Sequence, residues 1–317
     1  MKQSVMGELG NKKDTGLKRG QKTRTWGEMS AWLYLAPALA ILLTFQVYPI
    51  YKSFMMGFYT RFDYLTDTVY EWGLGNFRYI LCDENFRIAM KNTCVLVFFA
   101  APLSIGSGLL FALLLNSNIR FKPFFQSVYF LPFVTSMVAV SIVWSWMLNK
   151  DYGLVNGVIR FFGGKKIAWM TDRHMTMPIL VALCIWKGLG YRIIIFLAAL
   201  QGIDKRYYSA ARVDGARTMN RFWHVTIPML KPILIFLSIT TVIGCFKTFD
   251  EVYVMYNHKP GPSRSGLTIV YYIFNKFYEH WEFSIAAAAA AAFFLFLLIF
   301  AITLLQFLLS RRRKSWD

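Results

Sequence analysis

The chain is poor in the residues that most soluble chemistry needs. It has four cysteines in 317 residues. Cys82, Cys94, Cys184 and Cys245 are scattered and form no CxxC pair, which excludes a disulfide framework and a thiolate zinc site. Three of them fall inside apolar runs and read as buried apolar fillers. The four histidines are dispersed too, so no metal site is expected. There is no GxxxxGK[ST] phosphate loop, no nucleophile elbow and no HExxH pair. Acidic groups are scarce, 17 against 35 Lys and Arg, a net charge of +18. In a soluble protein that excess would suggest nucleic acid. Here the bases flank apolar runs, where they fix orientation and meet anionic lipid headgroups. No nucleic-acid partner, catalytic residue or bound cofactor is expected.

What is abundant is apolar sequence: 56% hydrophobic residues, 18% aromatic, and a mean hydropathy of +0.41. A bilayer-spanning helix needs roughly 20 mainly apolar residues. Six runs are long enough: 30–53, 92–116, 127–148, 178–200, 232–254 and 284–309. They are too long and continuous for barrel strands, so the class is an all-α polytopic membrane protein with six transmembrane helices. The first run follows a polar tail and is followed by aromatics, unlike a cleavable signal. The transmembrane region is taken as 30–310, between a basic tail, 1–29, and a basic end, 311–317.

Six spans place both termini on one side. The bases Lys12, Lys13, Lys18, Arg19, Lys22 and Arg24, those of the 203–231 connection, and Arg311–Lys314 all share that side. Lys and Arg accumulate in the cytoplasm, so both termini and residues 203–231 are assigned there. The third connection, with Lys150, Arg160, Lys165, Lys166 and Arg173, runs against this count. Parity and the other loops outvote it.

Residues 207–232, YYSAARVDGARTMNRFWHVTIPMLKP, form a polar island between two apolar runs. Asp204 can cap a short helix over 205–213. Ala210 and Ala211 leave its surface flat. Gly215 permits a sharp turn. Met219, Phe222 and Trp223 supply apolar anchors on a second short helix, which Pro228 and Pro232 are expected to end. Two readings stand on these residues alone: a rigid knob for a cleft in a cytosolic protein, or an amphipathic loop lying on the membrane.

The island resembles the EAA motif of ABC importer permeases: EAA, two residues, DGA, five, F, five, P, three, P. Ala210, Ala211, Asp214, Gly215, Ala216, Phe222, Pro228 and Pro232 fall in register. Ser209 stands where the family has its leading glutamate. The similarity extends to the carbohydrate-uptake branch through Asn92–Thr93, Phe130–Leu131–Pro132, Gly153–Leu154–Val155–Asn156, Trp186–Lys187–Gly188–Leu189–Gly190 and the run Phe246–Val254. The usual Gly-Gly-Pro is only Pro260–Gly261–Pro262 here. The resemblance implies a bacterial plasma-membrane subunit of a binding-protein-dependent importer. Its partners would be a second permease subunit, two ATP-binding subunits that carry the ATP and Mg²⁺, and an external solute-binding protein. The 207–232 loop would couple the chain to an ATPase, through Ser209, Ala210, Ala211, Asp214, Gly215, Ala216, Met219, Phe222 and Pro228.

Ionisable groups inside spans are costly and therefore informative. Lys187 and Arg192 fall in the fourth run, Lys247 and Asp250 in the fifth. Lys187 and Tyr191 share a helical face, and Phe249 and Tyr253 form an aromatic stripe at the same spacing. With Trp186 and Gly188 they make a candidate lining for an oligosaccharide, acidic or neutral. The plainer readings are packing for the aromatics, a structural pair for Lys247–Asp250, and a snorkelling Arg192. The alternatives in function are an ion-coupled secondary transporter, which needs carboxylates deep in the membrane, and a membrane enzyme, which needs a polar cluster at the interface.

Overall fold

The computed structural model describes residues 32–63, 66, 68–117, 120–278 and 285–312. The basic tail 1–29 and most of the basic end lie outside them. The chain forms two units, Met1–Met55 and Met56–Asp317. The first is the helix α1, Trp32–Met56, 25 residues with one π turn at Leu43–Val47. Its length and apolar composition suit a bilayer-spanning helix.

The second unit opens with a hairpin, β1 (Tyr59–Asp63) and β2 (Thr68–Trp72), antiparallel with Tyr59 opposite Trp72. These two rings meet edge to face at 4.7 Å. Helices then follow: α2 (Gly75–Cys82), α3 (Glu84–Asn116), α4 (Lys122–Val134), α5 (Met137–Met147), α6 (Leu154–Phe161), α7 (Thr176–Gln201), α8 (Lys205–Val213), α9 (Thr218–Phe246), α10 (Asp250–Met255), α11 (Ile269–Tyr278) and α12 (Ile285–Arg312). At 33 residues α3 is about 50 Å long, well beyond a ~30 Å hydrocarbon core. It starts eight residues before the expected span, capped by Asp83, whose carboxylate accepts the Asn85 N–H at 2.9 Å.

Two expected spans are corrected. Residues 127–148 are not one helix. α4 and α5 meet at a 100° bend. Thr135 and Ser136 are extended, with ψ of 151° and 138°. Pro132, just before the bend, has no N–H to continue the helical ladder. The fifth span does not run to residue 254. α9 ends at Phe246, and a break at 247–249 leads into α10. Nor do Pro228 and Pro232 separate a loop helix from this span. α9 is continuous from Thr218 because a π turn covers Phe222–Thr226, with the Ile227 N–H reaching back to Phe222 O. The wider turn accommodates Pro228 at the start of the regular α-helical segment, where a missing donor costs little.

α3 and α7 pack along each other, with α9 across both and α4 against α7. One core cluster gathers Leu96, Leu180, Leu183, Phe246, Tyr271 and Ala290; a second gathers Ala112, Phe196, Leu200, Leu230 and Leu237. Ala286 to Ala291 are all buried, as expected for helices that approach closely through small residues. Gly190 serves the same purpose: a Cβ there would lie 2.1 Å from Tyr129 O. Of the four cysteines only Cys245 is buried; Cys82 and Cys94 are exposed, which corrects the expectation of buried fillers.

Several residues that carried the family resemblance prove to be loop fasteners. Asn92 donates to the carbonyls of Arg264 and Leu267 at 3.0 and 3.1 Å, and Thr93 Oγ1 accepts the Ile269 N–H at 2.9 Å. Buried Asn156 takes the Ile167 N–H and the Trp169 indole N–H on its oxygen and gives its amide to Lys150 O and Ile167 O. Side-chain amides suit this role because one group both donates and accepts.

Candidate functional site

The 203–232 element is built as a closed knob. Asp204 caps α8 by accepting the Arg206 N–H at 2.9 Å. The far end closes through Asp214–Gly215–Ala216. Gly215 has φ +74°, its N–H reaches Arg212 O at 3.1 Å, and the Ala216 N–H reaches Ala211 O at 2.9 Å. That double bond is a Schellman closure, which requires the left-handed residue that glycine supplies most easily. Tyr208 OH and Thr226 Oγ1 lie 3.0 Å apart, tying α8 to the π turn of α9. Arg212 Nη2 donates to Ser209 Oγ at 3.2 Å, so Ser209 is engaged inside the knob.

The knob exposes apolar surface. Tyr207, Val213, Met219 and Trp223 are each more than half exposed, although the helix around them is polar. Ala210, Asp214 and Pro228 are exposed; Ala211, Ala216 and Phe222 are half-buried.

The second candidate site is a cavity of about 320 Å³ between α7, α9, α10 and the α4–α5 bend. Lys187, Gly188, Tyr191 and Arg192 line it from α7. Thr240, Thr241, Gly244 and Cys245 line it from α9, and Thr248 and Glu251 beyond the break. Lys187 Nζ donates to Pro132 O at 2.8 Å, to Phe133 O at 3.2 Å and to Thr135 O. It joins the Thr135 hydroxyl, which donates to Pro132 O at 2.7 Å, in satisfying the carbonyls at the bend. Irregular backbone at membrane depth is tolerated where its polar groups are satisfied in this way or line a cavity. Arg192 does not snorkel: it is 8% exposed, and its Nε donates to Thr241 Oγ1 at 3.2 Å. Tyr191 stacks on Phe133, with centroids 5.1 Å apart.

The other expected lining residues stand elsewhere. Trp186 packs on Trp144 at 5.7 Å. Phe249 and Tyr253 do stack, at 5.1 Å, but within an aromatic cluster with Tyr271 and Phe274. Lys247 and Asp250 are exposed and make no ion pair with each other. Glu251, next to Asp250, is the carboxylate on the wall; its side chain accepts the Phe249 N–H at 3.2 Å. Reading 232–254 as one helix concealed it, because the break at 247–249 resets the helical phase. The spacing Thr240–Gly244–Thr248 was the available signal for a polar face.

Outside the spans, Lys276 Nζ lies 3.0 Å from Asp83 Oδ2 and 3.0 Å from Tyr79 OH, and Tyr272 OH donates to Asp83 at 2.9 Å. Burial by itself would raise the Asp83 carboxyl; the hydrogen bonds from Lys276, the Asn85 N–H and Tyr272 outweigh it and hold it below the ordinary value. Burial would lower Lys276; its bonds to Tyr79 and Asp83 raise it instead.

Residues 100–315 match the family described as the binding-protein-dependent transport system inner membrane component. The chain belongs to this family. This inner-membrane component is 35% identical over 291 residues to the lactose transport system permease protein LacF of Rhizobium radiobacter, covering 90% of this chain and 96% of that one. It is 34% identical over 247 residues to the arabinooligosaccharides transport system permease protein AraP of Bacillus subtilis, covering 77% of each. The crystal structure of a bacterial ABC transporter involved in import of the acidic polysaccharide alginate aligns with a TM-score of 0.78 at 25% identity. The alignment covers 91% of this chain and 99% of that one. The long helices fit such a component: among the described residues five are long and apolar enough to cross a membrane, with a sixth crossing if the bent α4–α5 pair is one.

Proposed function

We propose that this chain is the permease subunit of an ATP-driven, binding-protein-dependent importer of an oligosaccharide. The names of its relatives, for lactose, arabinooligosaccharides and alginate, support the carbohydrate class. The chain forms part of the translocation path with a second permease subunit, an external binding protein delivers the solute, and two ATP-binding subunits use ATP and Mg²⁺. In this reading the termini and the 203–231 element face the cytoplasm. The cavity walled by Lys187, Gly188, Tyr191, Arg192 and Glu251 belongs to the path. Closure of the ATPases carries the knobs of both permeases, and the spans rotate as rigid bodies to open the path to alternate sides.

One observation carries the coupling role: a backbone-locked knob, in register with the EAA pattern, displays Val213, Met219 and Trp223 to solvent. Exposed apolar side chains on a rigid polar element mark a docking surface. Gly215→Val tests it. A β-branched residue at φ +74° costs roughly 1–2 kcal/mol. The variant is expected to insert into the membrane yet bring down several-fold less ATPase on purification, and to transport correspondingly less. Retention of ATPase and transport at the unsubstituted level refutes the docking role.

A further inference from the structure

Three charged groups line the cavity between α7, α9 and α10, and two of them already have partners. Lys187 caps the α4–α5 bend, and Glu251 accepts the Phe249 N–H. Arg192 differs. Its side chain is more than nine-tenths buried, its Nε is held by Thr241, and its Nη1 is shut off from solvent with no hydrogen-bond partner. No carboxylate among the described residues lies within ion-pair distance of it. An unpaired donor on a buried cation is among the costlier defects a fold can carry.

The surrounding backbone makes room for this group. A Cβ on Gly188 would lie 2.2 Å from Nη1 and 2.8 Å from Cζ, and one on Gly108 would lie 2.8 Å from the Arg192 Cβ. Gly188 and Arg192 both line the cavity, so the guanidinium sits at its wall with Nη1 packed against Gly188. Its position is fixed by packing and by Thr241, and it lacks only an acceptor.

We infer that Arg192 is the receptor for a carboxylate carried by the transported solute, which makes that solute a uronic-acid saccharide. This rests on the oligosaccharide-import reading and narrows it. A guanidinium pairs with a carboxylate by charge as well as by hydrogen bond, and its fork matches the two carboxylate oxygens, which a neutral hydroxyl cannot do. Lys187, Arg192 and Glu251 give the wall a formal charge of +1, which a single carboxylate neutralises. A phosphate dianion shares the oxygen chemistry but carries one more negative charge than a carboxylate. The cavity is at the small end for ligand sites, which run from ~300 to 1,000 Å³, so it takes a short saccharide segment.

The test uses the whole complex, with partner permease, ATPases and binding protein, in proteoliposomes. ATP hydrolysis and uptake are measured with trisaccharides of galacturonate, mannuronate and guluronate, with maltotriose and galactotriose, and with a hexose phosphate. At least one uronate should stimulate both, and the neutral sugars and the phosphate should not. Arg192→Gln should lower uronate uptake roughly 10- to 100-fold, the equivalent of one charged hydrogen bond. Arg192→Lys should recover part of it, since it keeps the charge and loses the fork. Gly188→Ala should reproduce the Gln defect by displacing the guanidinium while leaving its charge in place. If Arg192→Gln fails to retain the ATPases, Gly188→Ala and the unsubstituted complex decide the matter. Stimulation by a neutral sugar or by the phosphate alone overturns the inference, as does undiminished uronate uptake in Arg192→Gln or in Gly188→Ala. Stimulation by none of the saccharides overturns the carbohydrate reading itself, and this inference falls with it.

Discussion

Asp83 shows how a single side chain can hold a loop–helix junction. It caps α3, pairs with Lys276 and accepts from Tyr272, with both charged side chains about a tenth exposed. The pair's contribution has a definite pH window. The Asp83 carboxyl is depressed, so its share is present above the ordinary aspartate value and is lost as pH falls through the depressed one. Lys276 is raised, so its share is present below the ordinary lysine value and is lost as pH rises through the raised one. Thermal unfolding of the purified complex should therefore hold steady through neutral pH with respect to this pair. Asp83→Asn should lower stability by about 1.5–3 kcal/mol at pH 7, and the loss should shrink in strong acid. An equal loss at every pH would show that the charge does not matter.

At the level of elements, the bend between α4 and α5 and the lysine that caps it are the least expected feature. A helix broken inside the membrane exposes carbonyls to a medium without water. Lys187 answers this with bonds to Pro132, Phe133 and Thr135. Lys187→Met keeps the length of the side chain and removes the donor. It should cost about 2–4 kcal/mol, measured as a lower melting temperature of the complex, because charged hydrogen bonds are each worth ~1.5–3 kcal/mol. Transport should fall with it, because the same bend lines the cavity. A melting temperature unchanged by the substitution would mean that the bend is held by packing alone. The sequence placed Lys187 near the path but not in this role, since its partners lie more than fifty residues away in the chain.

For the whole molecule the prediction concerns sidedness. Val213, on the knob, is 89% exposed and can carry a reporter. After Cys82 and Cys94, which are also exposed, are replaced by serine, a Val213→Cys variant should react with a membrane-impermeant thiol reagent in inside-out vesicles only. Labelling from the outer face would reverse the orientation and remove the coupling proposal.

The sequence by itself determined what is local. Hydropathy located the long helices, because burial in lipid needs a continuous apolar run. Asp204 and Gly215 marked the ends of α8, because a cap and a left-handed residue are properties of a few adjacent residues. Only the tertiary structure decided where the polar face of the cavity lies. The break at 247–249 rotates Glu251 onto the wall and turns Phe249 and Tyr253 away, and helical periodicity cannot be carried across such a break. Partner assignments were equally out of reach, since Lys187 finds its carbonyls and Arg192 finds Thr241 only after separate helices have packed.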